Sequence, residues 1–578
     1  KEENFALVSD LRIRENRSQA DEPCIIFDRT EKTSPLANFR KGDIAVLYPL
    51  IENNPQAVLA NQIFKCSVIE IDAKSVVVRL RSRQFNDHDF THFEFWNLEH
   101  DVMDAGFVTM YRGLFGFAGA SGEYRRLILG QRPPQEPEIK PISLNSEMTE
   151  EQQKILSKII QAEEYFLLWG PPGTGKTSIV LRHLVAYLMK ETNEQILLLA
   201  FTNRAVDEIC DALNRIGGGI RDDYFRIGSS YATAPKHQPQ LLQEKMKGIG
   251  SRKDLQEVLR KHRIVVGTVA AVVGKNELLQ LKSFDRLIID EASQILEPLL
   301  VGLLAHFKRF VLIGDHKQLP AVVTQSPEDS ATSDEELKTI GLSNLRNSLF
   351  ERLFKKCQDQ EWHWALDKLS HQGRMHQEIM TFPSQHFYEG HLKILPEAIP
   401  VHLRQLADYA MQPNDHPLAN LLCSKRMIFL PTPVDESSPA QKTNQHEAQM
   451  VADLIANFQA LYLHNNRVFS SESIGVITPY RAQIAQIRTA LQKRELSEEA
   501  ITVDTVERYQ GGARDIILIS LCTNSSFQLL SLASLSDEGV DRKLNVALTR
   551  AREQVILLGN PDILRQNSVY AALIDFCE

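Results

Sequence analysis

The chain has 578 residues, 43% of them hydrophobic and 24% charged, with a net charge of −9. That length predicts about three or four domains with ordinary apolar cores, and no run nears the roughly 18 apolar residues of a membrane-spanning helix. The acidic balance excludes a chain that is basic throughout, so any nucleic-acid track has to be local, and seven cysteines without a C-x-x-C pair argue against a zinc or iron–sulfur centre and for reduced thiols inside a cell.

Residues 1–140 read as β-rich. Ala45-Val46-Leu47, Ser67–Ile71 and Ser75–Leu80 alternate or run apolar between turn residues, as in a small barrel or sandwich. Lys41, Arg79, Arg81 and Arg83 form either a basic face or solvated charges guarding a strand edge. The stretch 132–142 carries four prolines and reads as a linker. Thr149 then caps a helix opening at Glu150-Glu151-Gln152.

From Tyr165 strands and helices alternate, which predicts a parallel sheet with helices on both faces. The apolar run Tyr165–Trp169 leads into Gly170-Pro171-Pro172-Gly173-Thr174-Gly175-Lys176-Thr177, a full G-x-x-x-x-G-K-[ST] phosphate loop, and helical spacing follows from Ser178. Glycines let the backbone curl so that successive N–H groups face phosphate oxygens, and the helix N-terminus adds partial positive charge. Lys176 is expected to reach the β- and γ-phosphates, and Thr177 to hold Mg²⁺. Further strands are expected at Gln195–Ala200, Arg263–Gly267, Phe284–Asp290 and Arg309–Gly314, with polar residues gathered at their carboxyl ends, where ligands sit in open α/β sheets. The polar, helix-prone stretch Lys236–Leu259 interrupts the pattern and reads as an inserted hairpin or helix, within a helical insertion at about 215–262. A second α/β unit, without a second phosphate loop, is expected from about 346, with strands at Arg426–Leu430, Ile474–Thr478, Ile501–Asp504, Asp515–Leu521 and Gln554–Leu558. The expected division is 1–140, 141–345 and 346–578.

Asp290-Glu291 ends an apolar strand run. Asp290 is placed to bind the metal through water, and Glu291 to polarise the attacking water. Phosphoryl transfer also needs positive charge as the γ-phosphate leaves, and Arg374 and Arg550 of the second unit are the candidates; either alone reads equally as a surface ion pair.

Together these stretches resemble the superfamily 1B helicases, most closely the group of the nonsense-mediated-decay RNA helicase and the replication nuclease-helicase. The resemblance covers roughly 145–560 and includes Gly314–Pro320, Thr478-Pro479-Tyr480-Arg481, Thr505–Gly511 and Asn545–Ala551. It implies an α/β fold of two RecA-like lobes with an N-terminal β-barrel accessory domain. It implies roles as well: Gln152 on the adenine edge, Gln318 with Arg374 and Arg550 on the γ-phosphate, and Gly511 close to the nucleotide. Thr202, Asn203, Thr268, Thr478, Pro479 and Thr505 are implied along a single-stranded DNA or RNA track, bound through backbone phosphate and sugar. Two departures stand out. Gly373 takes the place of an aromatic residue, and Gln510-Gly511-Gly512-Ala513 replaces Gln-Gly-Arg-Glu.

The implied activity is an ATP- and Mg²⁺-dependent motor moving 5′ to 3′ on a single strand. An ATP-regulated clamp and, outside this class, a P-loop kinase or switch are the alternatives. A monomer without membrane attachment is expected, in the cytoplasm or nucleus. Because the sequence opens at Lys1, a nuclease domain upstream is a further expectation, as are protein partners.

Overall fold

The structure is a computed structural model that describes residues 7–34, 39, 41–51, 61–72, 74–101, 105–142, 144, 147–248, 251–274, 277–323, 325–409, 411–438, 442–497, 500–509, 512–536 and 538–578. Six antiparallel strands open the chain: β1 (Leu7–Arg17), β2 (Cys24–Arg29), β3 (Ile44–Pro49), β4 (Phe64–Ile71), β5 (Ser75–Leu80) and β6 (Phe95–His100). They close into a barrel in the order β1-β2-β5-β4-β3-β6, which leaves no free sheet edge. Alternate residues point inward, so Ile25, Phe27, Val76, Val78, Trp96 and Leu98 are buried in one cluster.

Helix Ala105–Ala118 leaves the barrel and packs on helix Glu297–Leu304. The approach is so close that only glycine fits on each side. A Cβ on Gly113 would lie 2.1 Å from the Pro298 carbonyl oxygen, and one on Gly302 would lie 2.5 Å from the Gly113 Cα. Overpacking there costs about 1–3 kcal/mol. The barrel also touches both lobes. Arg79 lies 5.0 Å over the ring of Tyr231, and the Tyr231 hydroxyl donates to Glu22 at 2.9 Å. Across the gap, Asp43 accepts from Arg508 at 2.8 Å and lies 3.6 Å from Arg481.

The first lobe is built on strands β7 (Tyr165–Trp169), β8 (Ile196–Ala200), β9 (Tyr224–Ile227), β10 (Ile264–Thr268), β11 (Arg286–Asp290), β12 (Arg309–Gly314) and β13 (Leu366–Lys368). All run parallel, in the order β13-β7-β12-β11-β8-β10-β9. β7, β8, β10 and β11 are buried along their whole length, as their unbroken apolar runs require of a sheet covered on both faces.

Two features add detail to the first lobe. Besides its helices Leu242–Lys245 and Arg252–Lys261, the stretch 215–262 contributes β9, which pairs with β10 at the sheet edge, and Arg226 within it is buried against Asp207. The chain beyond residue 345 first returns to this sheet: β13 pairs with β7 through Leu366 and Leu167, and helix Leu349–Asp359 packs beneath it.

The short pair β14 (His371–Gln372) and β15 (Lys393–Ile394) stands between the lobes. The second lobe carries β16 (Met427–Pro431), β17 (Ile474–Ile477), β18 (Thr502–Asp504), β19 (Arg514–Ser520) and β20 (Ala551–Gly559), parallel in the order β16-β20-β19-β17-β18. One apolar cluster runs from Leu167 and Leu312 to Leu544, Val555 and Leu573, so the two lobes share a core.

Candidate nucleotide cleft and strand track

β7 delivers the phosphate loop to the carboxyl edge of the first sheet. Gly173 (φ +76°) and Gly175 (φ +80°) take left-handed backbone that side-chain-bearing residues rarely adopt. A wide turn, Lys176–Leu181, then starts the helix that continues through Arg182–Glu191, and the amides of Ile179 and Val180 both donate to Gly175 O. Lys176 Nζ donates to Gly170 O at 3.2 Å. Thr177 Oγ1 donates to Asp290 Oδ2 at 2.5 Å, which joins the loop to the end of β11.

The other Asp290 oxygen accepts from the amide of Glu291 at 2.9 Å. Glu291 sits at φ +55°, a strained position for a non-glycine residue that costs about 1–3 kcal/mol. That strain aims its carboxylate into the cleft. Glu291 Oε2 is buried and has no hydrogen-bond partner among the described residues. Burial first, then the Asp290 charge, raises the Glu291 pKa, while Lys176 and Arg550 pull it back.

Arg374 and Arg550 reach the same space from the far side. Both line one cavity of about 740 Å³ with the phosphate loop, Glu291 and Gln318. Arg550 Nη2 donates to Gln318 Oε1 at 2.9 Å, and Gln318 Nε2 donates to Asp315 Oδ2 at 2.7 Å. Asp315 also accepts from Trp169 Nε1 and from the Tyr388 hydroxyl, each at 2.7 Å. Asn545 Nδ2 donates to that hydroxyl and to Lys317 O, so the network ties β7, β12 and the helix Arg542–Leu548 together. Arg374 Nη1 donates to Thr549 O at 3.1 Å, and its turn is fixed because Gln372 Oε1 accepts from the amides of Arg374 and Met375. The Gly373 amide donates to Gly173 O at 2.9 Å, a direct backbone bond from this turn to the phosphate loop. Neither guanidinium has a carboxylate within ion-pair distance among the described residues. Burial first and the neighbouring Arg374 second lower the Arg550 pKa to about 9.

The donor set fits Mg²⁺ and a triphosphate: hydroxyl and carboxylate oxygens suit a hard cation, and the glycine cradle has room only for backbone. A Cβ on Gly170 would strike the Lys176 side chain at 2.9 Å, and one on Gly173 would strike Arg374 Cβ at 2.7 Å.

Comparison with known proteins follows the same outline. Residues 147–253 and 240–326 match one AAA domain family, and residues 345–562 match another. The chain is 30% identical over 558 residues to the chicken DNA replication ATP-dependent helicase/nuclease DNA2, covering 93% of this chain and 49% of that protein. It is 30% identical over 446 residues to the mouse protein of that name, covering 73% of this chain and 38% of the relative. It is 29% identical over 497 residues to the DNA polymerase alpha-associated DNA helicase A of Saccharomyces cerevisiae, covering 75% of this chain and 68% of that one. The chain belongs to the superfamily 1 helicases, in the group of the replication nuclease-helicase. It spans half or less of the length of the two helicase/nuclease relatives just described.

Of the three side chains the helicase pattern has and this chain lacks, the ring at Gly373 and the arginine at Gly512 have a neighbour in their space, and the acid at Ala513 is simply replaced by a methyl group. The pairing of β14 with β15 sets Leu395 beside Gly373, and a Cβ on Gly373 would lie 2.7 Å from Leu395 Cδ1. An aliphatic side chain therefore fills the approach to the position of the missing ring. A Cβ on Gly512 would lie 2.1 Å from Arg204 Nη2, so a first-lobe guanidinium occupies the space of the missing arginine. Gly511 lies outside the described residues. Gln152 is already engaged: its Oε1 accepts from Thr149 N in a capping box, and its Nε2 donates to Thr174 O at 3.2 Å.

Sequence reading missed Arg204 and Glu208, which lie one helical turn apart on Asn203–Asn214 and line the cleft. Their i, i+4 spacing beside Thr202-Asn203 was the available signal. Burial first, then the charge of Glu291, raises the Glu208 pKa to about 7.

The six strand-track candidates stand at the carboxyl ends of β8, β10, β17 and β18 or in the turns just beyond them. Thr202 and Thr268 cap helices, accepting from Ala205 N and Ala271 N, which leaves each hydroxyl proton to donate elsewhere. Asn203 is exposed beside Thr202, and Pro479 is half-buried beside Thr478. Thr478 Oγ1 is buried without a partner among the described residues, and Thr505 is buried at the end of β18.

Proposed function

We propose that this chain hydrolyses Mg-ATP between its two lobes and uses the cycle to move 5′ to 3′ along a single strand of DNA or RNA and unwind duplex ahead of it. One observation carries the reading: Lys176 and Glu291 from the first lobe share a cavity with Arg374 and Arg550 from the second, with Arg550 hydrogen-bonded to Gln318. The names of the relatives, ATP-dependent helicases, support it, as does the orphaned Thr478 hydroxyl in the track.

In this mechanism the loop amides and Lys176 hold the β- and γ-phosphates. Thr177 and Asp290 would hold Mg²⁺, which when bound neutralises charge between those phosphates. Glu291 takes a proton from the attacking water as the water oxygen bonds to the γ-phosphorus. The bond from phosphorus to the bridging oxygen breaks, and ADP leaves with that electron pair. Arg374 and Arg550 stabilise the charge that develops on the transferring phosphoryl group, an effect worth roughly 10³–10⁵ in rate for such arginines. The γ-phosphate thereby bridges the lobes, and its loss loosens the bridge beside the Gly373–Gly173 bond. Alternating grip on the strand follows from that cycle.

The test is the ATPase rate with and without single-stranded DNA or RNA, followed by strand displacement. Stimulation by a strand with duplex release supports the motor. Hydrolysis without displacement supports the clamp, and no stimulation by either strand ends the reading. Lys176→Ala should abolish turnover while strand binding, measured at stated salt on DNA and RNA of one sequence, stays intact.

A further inference from the structure

Behind the cleft lies a second cavity of about 220 Å³, walled by the side chains of Arg374, Arg404, Arg426, Arg467 and Arg552. Arg374, Arg404 and Arg552 line the nucleotide cleft as well, so the two spaces share a wall of guanidinium groups. Arg374, the candidate for contact with the γ-phosphate, stands in that wall.

The charge in this second cavity is not balanced. Its lining holds five arginines against two carboxylates, Asp408 and Glu553. Arg426 spends its donors on neutral carbonyls, Nη1 on Glu553 O at 3.0 Å and Nη2 on Ala407 O at 2.6 Å. Arg374 is bound to Thr549 O and Arg404 to Gly373 O, carbonyls again. Arg552 is paired with Asp515 and Glu472, outside the cavity lining, and Arg467 lies 5.9 Å over the Tyr462 ring with Glu553 at 3.7 Å. A buried imidazole reports the same field: burial first and Arg426 second lower the His376 pKa to about 4. A pocket of this kind attracts an oxyanion, and guanidinium forks match its oxygens two at a time.

We propose that this arginine-lined cavity is a binding site for orthophosphate, receiving the cleaved γ-phosphate from the cleft through the Arg374 wall and holding it before release. The inference rests on the ATPase reading of the main cleft. Arg374 then contacts the transferring phosphoryl group on one side and its destination on the other. Arg467 is the entry point for a test, because it is half-exposed and stands outside the catalytic set.

The experiment measures product inhibition of strand-stimulated ATPase by added orthophosphate, together with phosphate release in a single turnover followed by a fluorescent phosphate-binding probe. In Arg467→Gln the inhibition constant for orthophosphate should rise about tenfold, as loss of one charge-assisted hydrogen bond implies, while inhibition by ADP and the chemical-quench cleavage rate stay put. Arg467→Lys should restore most of the phosphate inhibition. Unchanged phosphate inhibition in Arg467→Gln, with the ATPase intact, overturns the proposal. So does a variant that weakens single-strand binding and leaves phosphate inhibition alone, since the cavity would then read a nucleic-acid backbone. A parent chain with no ATPase activity fails the function reading instead, and the two failures are thus distinct.

Discussion

Arg550 is 2% exposed, yet its hydrogen-bond acceptors are the neutral oxygens of Gln318 and Val546. Keeping a guanidinium charged there, with its pKa pushed from 12.5 to about 9, costs on the order of 5 kcal/mol. Arg550→Met keeps most of the packing and removes that burden. It leaves Gln318 Oε1 without a donor, at about 1–3 kcal/mol, while Val546 O keeps the Thr549 hydroxyl at 3.3 Å, so the variant is expected to be at least as stable as the parent. Arg352 supplies the contrast. It is equally buried, but its Nε and Nη2 donate to both oxygens of Glu297, at 2.8 and 2.5 Å. Arg352→Met strands that carboxylate and should lose about 3–5 kcal/mol. Hydrolysis orders the two variants the other way. Arg550→Met should lose roughly 10³–10⁵ in kcat, equivalent to about 4–7 kcal/mol of transition-state stabilisation, and Arg352→Met, where folded, should lose little. Denaturant unfolding and single-turnover hydrolysis on the same preparations decide the matter. If Arg550→Met turns over within tenfold of the parent, or is destabilised as much as Arg352→Met, then Arg550 is a structural arginine and the reasoning fails.

Gly373→Tyr should destabilise the chain by about 1–3 kcal/mol, because Leu395 Cδ1 stands 2.7 Å from the new Cβ. Adding Leu395→Ala should recover at least half of that loss, and simple additivity of the two losses in denaturant unfolding would refute the clash. Glu447 is buried on helix Gln445–His464 and accepts from Ser520 Oγ at 2.7 Å and from the Cys522 and Thr523 amides; burial lifts its pKa from an ordinary 4.5 to about 7. The folded chain therefore binds this proton more tightly than the unfolded chain, so the contribution favours folding below about pH 4.5 and is lost as pH rises through about 7. Glu447→Gln should flatten the fall of stability between about pH 4.5 and pH 7, and matching slopes in parent and variant would exclude the effect.

What the sequence revealed and what it hid follow from where each constraint lives. The phosphate loop was legible because its glycines answer to backbone geometry: Gly173 and Gly175 sit at positive φ, and the rule holds whatever surrounds them. β7, β8, β10 and β11 were legible because a sheet covered on both faces asks for unbroken apolar runs. β9 and β13 were not. Each is only three or four residues long, and β13 reads Leu-Asp-Lys; both are strands because a neighbour supplies the ladder, so pairing decided what propensity left open. The neighbours that fill the space at Gly373 and Gly512 were hidden for a stronger reason. Leu395 reaches Gly373 through the pairing of β14 with β15, and Arg204 reaches Gly512 across the gap between the lobes, more than 300 residues along the chain. A motif compared position by position registers such a site as a loss, whereas the space itself has been refilled from another element. The Gly512 departure therefore keeps a guanidinium in the cleft and changes which lobe carries it. Because Arg204 shares a helix with Glu208 and follows the Thr202 cap, that exchange would link the candidate nucleotide cleft to the proposed strand track by a single helical turn.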